Sequence, residues 1–165
     1  MVDCRTKVEN RGVRRLIQNE LVAIGLGIGL DSGEHSLLNR LDKLDALLAM
    51  DLPFEKIGIA HPVCPLIWKG DRAKYLATLD AIAEADMHRI FAKAARLGVG
   101  IEINMSYPDE ERDTVLRPFR IAKEEGCKFY LGSDAHHPAG LENARKKFER
   151  AIDDLELTEE DKMKI

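Results

Sequence analysis

The sequence predicts an α/β protein assembled from parallel β-α units, and three observations carry that prediction. Short apolar runs alternate with longer amphipathic stretches, glycine and proline punctuate the boundaries, and each run leads into side chains able to bind a ligand.

Four runs read as buried parallel strands: Leu21–Leu30, Ile57–Ala60, Val99–Met105 and Phe129–Leu131. The first carries Gly25, Gly27 and Gly29, which weaken its strand pattern. Between the first two runs, Leu37, Leu41, Leu44 and Leu48 share one helical face, with Asp42, Lys43 and Asp45 turned outward and Ser36 as the N-cap. The stretch from Asp71 to Leu97 is long for one helix. Asp86 is expected to cap a restart within it, and Gly98 to stop it before the third strand. Val115, Phe119, Ile121 and Ala122 mark the next helix, ended by Gly126. A last amphipathic stretch covers Leu141–Leu155, and Thr158 with Asp161 reads as the capped start of a short terminal helix. With no repeat or linker-like tract, residues 1–165 form one expected domain. A closed eight-fold barrel takes about 250 residues. The pattern therefore fits a small open sheet or part of a barrel, and leaves that choice open.

Composition bounds the function. Hydrophobic residues make up 45% of the chain and charged ones 33%, the balance of a globular protein. A net charge of −4 argues against a broad nucleic-acid surface, while leaving room for a local phosphate pocket. No apolar run is long enough to span a bilayer, and residues 1–5 (MVDCR) carry no signal-peptide pattern, so no membrane partner is expected. The cysteines, Cys4, Cys64 and Cys127, are odd in number and scattered, which argues against a disulfide scaffold and for a reducing, cytoplasmic setting.

In parallel α/β folds ligands gather at the C-terminal ends of strands. Here the strands lead to Asp31, Glu34 and His35; to His61 and Pro62; to Glu102, Asn104 and Ser106; and to Asp134, His136 and His137. Asp134 and His136, two residues apart in extended chain, face the same side with Cα atoms roughly 6–7 Å apart. Such a pair can hold a metal, and its mixed O/N donors suit Zn, Mn or Fe better than Ca or Mg. The alternative is an Asp that caps a turn beside a surface His. Pro62 holds His61 extended, either as a ligand or as a buried His bonded to a carbonyl. His35 is a ligand or a helix cap. Glu102 lies within an apolar strand, where a bare carboxylate is costly, so it requires a metal-binding His or a cation as partner. His88 reads as part of a solvated helix face and Cys64 as a small apolar filler. Arg117, Arg120 and Lys123 read as another solvated face, with contact to a substrate phosphate as the alternative.

Residues 57–62 (IGIAHP), 100–104 (GIEIN) and 131–136 (LGSDAH) resemble, in order, the later motifs of the PHP (polymerase and histidinol phosphatase) family of hydrolases. The likeness runs from about Leu21 to the end of the chain. It implies a distorted seven-stranded (β/α) barrel with a multinuclear Zn, Mn or Fe centre at the strand ends. His61, Asp134 and His136 match metal ligands of that family, and His35 matches a preceding histidine at looser spacing. Glu102 and Asn104 match positions of supporting rather than ligating role. The family's opening His-x-His strand and its early His and Glu ligands have no counterpart among the five histidines. The chain is accordingly expected to be the later part of such a barrel without its N-terminal strands, to hold its metal only in part, and to self-associate through an exposed sheet edge. The function implied is metal-dependent hydrolysis of a small phosphorylated substrate, with proton handling by His137 or a metal-bound hydroxide. A non-catalytic remnant that binds a partner is the alternative from another class, and a C–N hydrolase of the amidohydrolase kind is a third reading.

Overall fold

The structure, a computed structural model, describes residues 22–25, 38–60, 62, 71–133, 135 and 137–164. Its elements, in chain order, are β1 (Val22–Gly25), α1 (Leu38–Leu47), β2 (Ile57–Ala60), α2 (Arg72–Asp80), α3 (Glu84–Leu97), β3 (Gly100–Ile103), α4 (Arg112–Glu124), β4 (Lys128–Leu131) and α5 (Pro138–Asp154). The four strands form one sheet in the order β1-β2-β3-β4, and every pairing is parallel. The protein is therefore α/β, with helices joining parallel strands, as the alternating pattern predicted.

Alternation along each strand divides the sheet into two unlike faces. Ile57, Ile59, Ile101, Ile103 and Phe129 fall on one side and join the helix residues in a single buried cluster. Leu44, Leu47 and Leu48 enter it from α1 and the turn that follows, Met87, Ile90 and Phe91 from α3, and Leu116 and Phe119 from α4. Helix α3 lies between α1 and α4, and α2 packs on α4. Of the predicted face of α1, Leu37 and Leu41 lie outside the described side chains, as does the Ser36 cap.

Two helix stops follow the sequence reading. Gly98, at φ 75°, caps α3, and the N–H of Val99 reaches back to the Ala94 carbonyl at 3.1 Å. Gly126, at φ 84°, follows α4 and donates to the Lys123 carbonyl at 2.9 Å. Both are left-handed positions where a Cβ would be strained.

Four expectations need correction. The break in the 71–97 stretch falls at Ala81–Ala83 rather than at Asp86, which sits in the first turn of α3 beside Glu84, where acidic side chains oppose the helix dipole. Thr158 and Asp161 do bond each other, Thr158 N–H to Asp161 Oδ2 at 2.8 Å, but they close a turn and start no helix. That turn brings the tail alongside β4: Phe129 N–H donates to the Asp161 carbonyl and Met163 N–H to the Phe129 carbonyl, both at 2.8 Å. The Arg117–Lys123 face is not simply solvated. Arg117 Nη2 binds the carbonyls of Leu79 at 2.5 Å and Ile82 at 3.0 Å, closing the end of α2, while Lys123 Nζ binds those of Leu155 and Glu156, closing the end of α5. Arg120 pairs with Asp113 at 2.9 Å. His88 likewise is more than a solvated group, because its Nδ1 lies 2.7 Å from Glu125 Oε1 and ties α3 to the end of α4.

Beyond the tail pairing, Leu131 at the end of β4 is 48% exposed and Leu141 on α5 is 60% exposed, and they flank an open apolar groove. No described helix is long and apolar enough to cross a membrane.

The His88–Glu125 pair makes stability depend on pH. The hydrogen bond to Glu125 raises the His88 pKa, so the protonated form stabilises the fold. That contribution is fully present below the unfolded value of about 6.5 and is lost as pH rises through the higher folded value. Chemical denaturation across this range is expected to show stability falling with rising pH in the wild type. Glu125→Gln should flatten that slope, and an unchanged slope would remove the pair from the account.

Candidate functional site at the strand ends

Parallel pairing brings the strand ends to one edge. Gly25 is level with Ala60, and Ile103 with Leu131. The β2–β3 register, Gly58 with Gly100 and Ile59 with Ile101, carries Ala60 to the level of Glu102. Neighbouring strands lie about 4.8 Å apart, so the ends of β2, β3 and β4 fall within roughly 10 Å of one another. The three motif segments leave the sheet side by side.

The proposed metal ligands themselves, His35, His61, Asp134 and His136, lie outside the described residues, as do Asp31, Glu34 and Cys64. In the sequence His61 directly follows the last residue of β2, and Asp134 and His136 come three and five residues after the last of β4. Among the described residues there is no group of three or more His, Cys, Asp or Glu side chains able to hold a metal. The described part of the site is its floor and its rim.

The floor is the second face of the sheet, and glycine shapes it. Tyr130 reaches across β3 to β2: a Cβ added at Gly58 on β2 would meet Tyr130 Cε1 at 2.5 Å, and one at Gly100 on β3 would meet Met163 Sδ at 2.2 Å and Tyr130 Cδ1 at 3.2 Å. Nearer the edge, a Cβ at Gly132 would fall 1.7 Å from Glu102 Oε1. Glu102 is 6% exposed, the one buried charged or polar residue among those described. It sits level with Tyr130, whose buried hydroxyl has no hydrogen-bond partner among the described residues. Burial, with the Glu102 charge second, pushes the Tyr130 phenol well above its ordinary pKa, so it stays protonated.

The rim is polar. Gly132 N–H extends the β3–β4 ladder by one bond, to the Ile103 carbonyl at 3.2 Å, and Ala135 N–H donates to Ser133 Oγ at 3.3 Å. Asn104, the first residue beyond β3, accepts a hydrogen bond from Lys147 Nζ on α5 at 2.8 Å. His137 is exposed at the N-cap of α5 and makes no side-chain capping bond.

Sequence reasoning found Glu102 and Asn104 but missed Tyr130 and Lys147. The available signal for Tyr130 was a large residue on β4 that shares a sheet face with Gly58 and Gly100, which requires the register to be known. Cys127 is no candidate nucleophile. It is 1% exposed, its thiol donates to the Phe91 carbonyl, and burial pushes its pKa up to about 12.

No protein-family model matches the chain, and no curated protein or solved structure matches it at a significant level.

The floor has a direct test. Gly58→Ala is expected to lower stability by about 1–3 kcal/mol, the cost of overpacking against a fixed ring. In a Tyr130→Ala background the same substitution should cost much less, as urea unfolding would measure. Equal costs in the two backgrounds would mean that the ring is not what Gly58 accommodates.

Proposed function

We propose that this chain is a metal-dependent phosphoester hydrolase of the PHP kind, with its reaction centre at the shared edge of β2, β3 and β4. The observation that carries the reading is the register that sets the IAHP, IEIN and LGSDAH segments on adjacent strands, each leaving the sheet at that edge.

The donors that follow the strands in sequence fit a transition metal. His61, Asp134 and His136, with His35 after β1, would hold a Zn, Mn or Fe ion through nitrogen and oxygen. Such an ion supplies a water of lowered pKa and stabilises charge on phosphoryl oxygens. The chain's own groups prepare that edge. Glu102 sets a buried carboxylate beneath it, where a negative charge favours a cation above and can orient a ligating imidazole. Gly132 leaves the room Glu102 needs, and Tyr130 closes the floor below with a protonated, neutral ring. Asn104 accepts from Lys147 at the rim and so holds a positive donor there, the polarity an anionic substrate requires.

The test measures metal content and turnover together. Wild-type protein incubated with Zn or Mn should hold metal in part and hydrolyse p-nitrophenyl phosphate slowly, and Asp134→Ala and His61→Ala should lose both. Failure to retain metal would overturn the metal reading. Retained metal without turnover of phosphate esters would overturn catalysis and leave a metal-holding binding domain.

A further inference from the structure

Helix α5 is fastened to the segment after β3 by a ladder of polar contacts. Lys147 Nζ donates to Asn104 Oδ1 at 2.8 Å. One turn along, the Arg150 guanidinium stacks on the Tyr107 ring, 4.6 Å from its centre, and pairs with Asp109. Farther on, the Tyr107 hydroxyl donates to Asp154 Oδ2 at 2.9 Å, and Arg112 pairs with Asp154 Oδ1 at 3.2 Å. The lower rungs balance, with Arg112 and Arg150 set against Asp109 and Asp154. The top rung does not. It joins an ammonium to a neutral amide at the first residue past β3, and among the described residues no carboxylate forms an ion pair with Lys147.

Several other cations in the described chain are engaged elsewhere. Arg72, Arg89 and Lys93 pair with carboxylates, and Arg117 and Lys123 close helix ends on carbonyls. Lys147 is half-buried, with its ammonium 5.4 Å from the centre of the Phe148 ring and its direction set by Asn104. A half-buried cation aimed at a strand end, with its charge unmatched among described groups, is a preorganised acceptor for an anion.

We infer that Lys147 is a substrate-binding residue of the strand-end site and that, oriented by Asn104, it receives a phosphoryl oxygen of a phosphate ester. The inference rests on the phosphoester reading for the class of substrate, and on the ladder for the residue. Asn104 is the positioning residue: its carbonyl oxygen accepts one of the three ammonium N–H bonds and leaves the others for the ligand.

The experiment uses inorganic phosphate as probe, titrated into the full chain in EDTA and followed by amide chemical shifts, with melting temperature recorded for each variant. Wild type should bind phosphate, with shifts centred on Asn104 and Lys147. Lys147→Met, which keeps the apolar stem, should weaken binding by about tenfold or more, the value of one charge-assisted hydrogen bond. Lys147→Arg should restore most of it. Asn104→Asp separates binding from structure: it strengthens the rung as an ion pair, so melting should hold or rise, yet it neutralises the ammonium and should weaken phosphate binding. In metal-loaded protein with p-nitrophenyl phosphate, Lys147→Met should raise KM by a similar factor and change kcat less. Absence of phosphate binding to the wild type, or unchanged affinity in Lys147→Met and Asn104→Asp alongside a lowered melting temperature in Lys147→Met, would overturn the inference and leave Lys147 a structural tie. Phosphate binding that needs Lys147 in a chain that retains no metal would keep the anion site and sink only the hydrolase.

Discussion

The register of the parallel sheet is the constraint on which the rest depends. Because Gly58 is level with Gly100, and Glu102 with Tyr130, alternation sends every isoleucine of β2 and β3 to one face and leaves the other to glycine, Ala60, Glu102 and Tyr130. A slip of one residue would exchange the two faces, burying Glu102 among the helices and exposing the isoleucines. The apolar face pulls the helices onto one side of the sheet. The glycine face gives a large ring and a carboxylate room to lie against the backbone. The same alignment brings the strand ends level, so local sequence, packing and site geometry follow from a single set of ladder hydrogen bonds.

Charge in this protein works mostly between elements. The carbonyls at a helix end have no partner within the helix. Arg117 answers them at the end of α2 and Lys123 at the end of α5, so α4 grips two helices through its basic side chains as well as through its apolar face. Asp45 does the reverse from α1, accepting Lys93 at 2.6 Å and Arg89 at 2.8 Å from α3, and the two cations hold its carboxyl below the ordinary range. These pairs are partly exposed, and each contributes modestly.

The sequence was most legible where one residue's own conformational preference decides the outcome. Gly98 and Gly126 stop helices because a left-handed backbone position favours a residue without Cβ. The isoleucine-rich β2 and β3 read as strands because buried parallel strands are apolar on a short period. Legibility failed where a partner distant in sequence decides. Arg117 resembles a surface residue until the end of α2 is placed beside it. Thr158 and Asp161 carry a helix-start signal, yet the pairing of the tail with Phe129 takes the chain along β4 instead. Glu102 was legible as a carboxylate in an apolar strand, whereas the need for Gly132 beside it became visible only with the β3–β4 ladder. Of the site, the edge and its support are described, while the ligand residues His35, His61, Asp134 and His136 stand on their sequence pattern.

The polarity of that edge bears on which hydrolysis it would serve. Glu102 on β3 and Asn104 just beyond its end, two residues apart, are separated by about 6–7 Å along extended chain. The lower position carries a buried negative charge and the upper one a bound ammonium. A cation drawn toward Glu102 and an anion drawn toward Lys147 would be stacked in that order, outward from the floor. Hydrolysis of a C–N bond in a neutral substrate needs a metal and a water but gains little from a fixed ammonium at the rim. A phosphoester brings negative charge to the metal and keeps negative oxygens facing outward, so it gains from both groups at once. On the proposed reading, this arrangement of charge suits a phosphoester better than the neutral substrate of an amidohydrolase.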